Sequence, residues 1–164
     1  MQQLIGLFAF ILVLSSGPSF GQESATEGPK SDAVTSGRAL IREHREKIIH
    51  SELHFTEKEA KEFWPVYETY RQKNNVVMDR YANLIAEYMR RYDDADLSNE
   101  YADQMIDTYF EIQNDLLRLQ EKFLPEFRAI LPALKVARFY QLENKINADI
   151  DAQLALIVPL VDPS

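Results

Sequence analysis

From about residue 38 onward, apolar residues recur every three or four positions and polar residues fill the gaps. That spacing gathers the apolar set on one side of a 3.6-residue helix, and it predicts four helices. The first spans 38–53, with Leu40, Ile41, His44, Ile48 and Ile49 on one side. The second spans 57–92, with Phe63, Trp64, Tyr67, Tyr70, Val77, Met78, Tyr81, Leu84, Ile85, Tyr88 and Tyr92 along its stripe. At 1.5 Å per residue it extends about 54 Å. Thr56 and Glu59 form a capping box at its start, and Pro65 predicts a bend within its first turns.

The run DDADLS at 93–98 is a turn, with Ser98 as N-cap of the third helix. That helix is expected over 99–124, with Ala102, Met105, Ile106, Tyr109, Ile112, Leu116, Leu119 and Phe123 as its stripe. Pro125 is expected to kink or end it, leaving a short piece over 126–131. Pro132 is placed to open a fourth helix. This runs to Val158 along Val136, Phe139, Tyr140, Ile146, Ile150, Leu154 and Ile157. No window alternates with a period of two, so the fold class is all-α. Helices this long cannot bury one stripe alone, and they must pack as long hairpins within the chain or in a dimer.

Ahead of the helices, residues 4–14 read LIGLFAFILVL, followed by small residues at Ser19 and Gly21. The run is short for a bilayer, which takes about 20 residues, and has the form of a signal peptide cleaved after Gly21. An uncleaved signal anchor is the alternative, since the n-region MQQ has no side-chain cation. The expected organisation is a signal peptide over 1–21, a disordered tether over 22–37, a four-helix domain over 38–158 and a tail over 159–164. The expected location is the periplasm, with no stable membrane insertion after cleavage.

Composition narrows the chemistry. The 164 residues carry 18 Lys and Arg against 26 Asp and Glu, a net charge of −8. Nucleic-acid binding rests on Lys and Arg, so no nucleic-acid partner is expected. There is no cysteine, which excludes disulfides, thiolate metal sites and a Cys nucleophile. No phosphate loop, nucleophile elbow or H-E-x-x-H motif occurs, so no enzyme and no cofactor are expected.

Four constellations remain. His50 and His54 stand at i, i+4, a spacing from which two imidazoles on one helix reach a single metal ion. The alternative is a polar helix end. Residues 93–125 hold nine acids and two bases. Asp103, Asp107 and Glu111 lie there in a stripe that either solvates the surface or attracts basic client segments or divalent cations. Trp64, Tyr67 and Tyr70 are either core or an exposed platform, since an aromatic with a polar tip suits both. Finally, Asn74 and Glu143 interrupt apolar stripes. A carboxylate on a buried face needs a cation. Arg71 is the first candidate, with Arg42 next, and the group would fix helix register.

The elements Phe55-Thr56-Glu57-Lys58-Glu59 and Leu131-Pro132-Ala133-Leu134-Lys135 each open a long helix. They resemble the L-T-x-x-Q element of the Spy/CpxP family of periplasmic chaperones and heavy-metal-resistance sensors. Phe and Glu replace Leu and Gln in the first copy, and Pro and Lys replace Thr and Gln in the second. The stretches FWPVY and RFYQLENK are similar to exported proteins labelled as sensors of extracytoplasmic sigma factors. The resemblance covers about residues 38–158. It implies four helices with a long kinked hairpin in a curved antiparallel homodimer. It also implies an ATP-independent chaperone or envelope-stress adaptor that binds partly unfolded or envelope protein clients. The alternatives are a sensor module for an anti-sigma factor or sensor kinase, and divalent-metal binding in metal resistance. In the metal-sensing branch a His-x-x-x-His pair is joined by a His and a Met on the last helix. This chain has no His after 54 and no Met after 105, so that ligand set is incomplete.

Overall fold

The structure, a computed structural model, describes residues 43–162. The expected signal peptide and tether, and Arg42, lie outside these residues. The described residues form four helices and no strand: α1 over 43–53, α2 Glu57–Asp93, α3 Asn99–Ile130 and α4 Ala133–Ile157. None of them is long and apolar enough to cross a membrane.

Local chemistry explains the boundaries. The Thr56 hydroxyl accepts from the Glu59 amide while the Glu59 carboxylate accepts from the Thr56 amide, closing the capping box. Ser98 caps α3 by accepting from the Tyr101 amide. Between α2 and α3 the chain closes a Schellman turn. The Asp96 amide donates to the Arg91 carbonyl at 2.8 Å and the Ala95 amide to the Tyr92 carbonyl at 3.2 Å. Pro132 is the N-cap of α4, one position before the helix.

One expected break does not occur. α3 passes through Pro125 and continues to Ile130. A proline removes a single donor and crowds one carbonyl. Here Phe123 and Phe127 on either side are both buried in the core, and their packing carries the helix across.

The helices alternate in direction. α2 and α3 are antiparallel, with ring contacts from Phe63–Phe127 through Tyr70–Phe123 to Tyr81–Tyr109. α1 is antiparallel to α4, through Arg45–Glu143 at one end and Glu52–Arg138 at the other. α4 runs in the same sense as α2, meeting it at Lys135–Glu59, Glu143–Tyr67 and Pro159–Tyr88. This is the up-down-up-down arrangement of a four-helix bundle.

The bundle is not uniform along its length. The main core lies at the α1 end, among Ile49, Leu53, Phe63, Tyr70, Phe127 and Phe139. The described part of α1 does not extend towards the α2–α3 turn, and among the described residues the buried apolar side chains outside the main core are Tyr88, Ile112 and Ile146. Val77, Met78, Leu84 and Ile85, part of the expected α2 stripe, are half-buried.

Candidate functional site

The polar positions inside the stripes come together at one level of the bundle. Glu143 is 2% exposed and Asn74 6%. Arg45 Nη1 donates to Glu143 Oε2 at 2.9 Å, and Arg71 Nη1 lies 3.6 Å from the same oxygen. The Tyr67 hydroxyl donates to Glu143 Oε1 at 3.3 Å. Arg71 also donates to Asn74 Oδ1 at 2.8 Å, and Arg45 Nη2 to Asn147 Oδ1 at 3.2 Å. Helices α1, α2 and α4 thus share one buried carboxylate. Burial, followed by the adjacent Glu143 charge, holds the Tyr67 and Tyr70 phenols well above their usual range.

The nearer cation, Arg45, is not the one the sequence pointed to. Its signal was present: Arg45, Ile49 and Leu53 stand at i, i+4 and i+8, and all three are buried. The apolar side of α1 is therefore this row. His44 and Ile48, placed on that side by periodicity, are only half-buried.

Tyr67 and Tyr70 do not form an open platform. Each is 1% exposed and lies among Phe63, Phe127 and Phe139. Trp64 is half-buried at the margin, edge-on to Tyr67 and stacked with His50 at 6.3 Å between ring centres. The rings belong to the core because four helices converge at their level, and any ring on an inward face is enclosed there.

The two histidines do not both lie on α1. α1 ends at residue 53, and His54 sits beyond it with φ of 46°. Its carbonyl accepts from Lys135 Nζ at 2.8 Å. Among the described residues, no group of three or more His, Asp or Glu side chains is placed to hold a metal ion.

The acidic stripe is on the outside. Asp103, Asp107 and Glu111 are all exposed on α3. Beside them run Ile106, Phe110 and Leu117, which are 48%, 58% and 54% exposed. Ile106 was expected in the buried stripe. The buried positions of α3 are Ile112, Leu119, Phe123 and Phe127, and on a 100° wheel Ile106 falls more than a quarter-turn from their mean direction. Phe110 and Leu117 lie at i+4 and i+11 from Ile106, a second line that a wheel drawn from the sequence could have separated.

Comparisons of the chain with family models, with curated proteins and with solved structures find no match.

Proposed function

We propose that the chain is an exported, ATP-independent chaperone or envelope-stress adaptor of the Spy/CpxP type, binding partly unfolded clients in the periplasm without a cofactor. The observation that carries this reading is the row Ile106, Phe110 and Leu117, about half in solvent on a bundle whose aromatic core is otherwise closed. Large apolar side chains exposed together on one helix face offer an interaction site on a soluble protein. A partly unfolded client offers complementary apolar segments. The acids alongside keep the surface hydrated when no client is bound.

The same reading has the protein working as a homodimer. Leu156, Ile157, Leu160 and Val161 are exposed at the end of α4, and self-association is the use this second apolar surface supports. Trp64, half-buried at the margin of the core beside His50, is a separate apolar edge at the α1 end of the bundle that a client could also meet.

The test is suppression of aggregation of a reduced or heat-unfolded client by the purified protein and by Phe110→Ser/Leu117→Ser. The expected result is protection at near-stoichiometric ratios, lost in the double variant with its melting temperature unchanged. Full protection by the folded double variant would reject the reading.

A further inference from the structure

Two parallel rows run along the outward side of α3. Ile106, Phe110 and Leu117 form the apolar one. Asp103, Asp107 and Glu111, at i, i+4 and i+8, form the acidic one. Asp103 and Asp107 precede Ile106 and Phe110 by three residues, so each carboxylate neighbours an apolar side chain on the helix surface. Neither aspartate has a cation partner among the described residues. Glu111 is approached by Arg80 at 3.6 Å, and Asp115 holds that guanidinium more closely, at 2.5 Å. Asp103 and Asp107 thus lie open beside an apolar line, and Glu111 is only loosely held by Arg80.

Resting on the chaperone reading above, we propose that this face docks cationic amphipathic segments. The occupant is a helix-length stretch of a client, with Leu, Ile or Phe at helical spacing and Lys or Arg along one edge. The apolar row supplies the contact area. The acidic row selects the sign of the partner and steers its approach. A second copy of this chain is a poorer occupant, because it brings a second acidic row and a net charge of −8 to the contact. Only a basic partner complements both rows at once.

The experiment measures anisotropy of two labelled model peptides that share their leucine positions, one with Lys and one with Glu at the polar positions. The purified protein should bind the Lys peptide at least about tenfold more tightly than the Glu peptide at low ionic strength. The preference should collapse in 1 M salt, where the screening length falls to about 3 Å. In D103N/D107N/E111Q the affinity for the Lys peptide should fall about tenfold, as loss of three exposed charge pairs implies, with an unchanged melting temperature. In F110S/L117S both peptides should be lost. Equal affinity for the two peptides overturns the proposal, as does undiminished Lys-peptide binding by folded D103N/D107N/E111Q. If the protein still suppresses client aggregation in either case, the chaperone reading survives and only the charge selection fails. If F110S/L117S turns a dimer into a monomer while keeping its peptide affinity, the face is a self-contact and the proposal is overturned.

Discussion

Arg45 and Glu143 are 98 residues apart in the sequence and 2.9 Å apart in the bundle interior. Their ion pair ties the first described helix to the last. Both side chains are almost wholly withdrawn from water, where an unpaired charge costs several kcal/mol. The pair is completed by Tyr67 and Arg71, so that both carboxylate oxygens are engaged. Slippage of α1 along α4 by one turn would leave Glu143 without its nearest cation. The geometry thus specifies register as well as position.

Removing the carboxylate tests this directly. Glu143→Ala strands Arg45 and is expected to lose about 3–5 kcal/mol in urea unfolding. Glu143→Gln keeps the volume and an acceptor for Arg45 and should lose less. Arg45→Ala should cost more than Arg71→Ala, because Arg71 is closer to solvent and sits at 3.6 Å. A Glu143→Ala protein unfolding at the native midpoint would contradict the buried pair.

The uneven bundle predicts that phenylalanines differ sharply by location. Phe139 is fully buried against Phe63, Tyr67, Tyr70 and Phe127. Phe139→Ala should lose about 3–5 kcal/mol. Phe110→Ala, on the open face, should stay within about 0.5 kcal/mol of the native protein. Thermal or urea unfolding of the two variants side by side checks the contrast, and equal losses would mean that the α3 face is covered in solution.

Alkaline pH should unfold the protein through its interior phenols. Burial raises Tyr67 and Tyr70, and it pushes Tyr140 up to about 12. A raised phenol pKa means that the folded state holds its proton more firmly than the unfolded state. The stabilisation is therefore complete below the ordinary value of about 10 and is lost as pH climbs above it. Phenolate absorbance from these rings should appear together with the loss of helical circular dichroism. Ionisation of every tyrosine with the helices still intact would refute their burial.

The α2–α3 turn holds a residue that its geometry does not suit. Ala95 has φ of 54° at the position of the Schellman turn where glycine is usual. A side chain in the left-handed region costs roughly 1–2 kcal/mol. Glycine avoids that cost but gains freedom in the unfolded chain, so Ala95→Gly should stabilise by about 0.5–1 kcal/mol. A rise in melting temperature with unchanged helical circular dichroism is the expected outcome, and a fall would count against the positive φ.

The sequence by itself determined the helices. Spacing of three and four, the Thr56–Glu59 capping box and Ser98 at an N-cap act within a few residues, so they can be read without any neighbour. The need of Glu143 for a cation was equally local, because its place inside an apolar stripe implies burial wherever that stripe packs. What depended on other helices could not be read in this way. Arg45 became the partner because antiparallel α1 brings it level with Glu143, ahead of Arg71. Pro125 failed to end α3 because Phe123 and Phe127 are gripped by the core on both sides. Periodicity gives the direction a side chain takes from its own helix axis, but not how many helices stand at that level. Four do around Tyr67 and Tyr70, which are enclosed, while among the described residues fewer do around Ile106 and Phe110, which remain exposed.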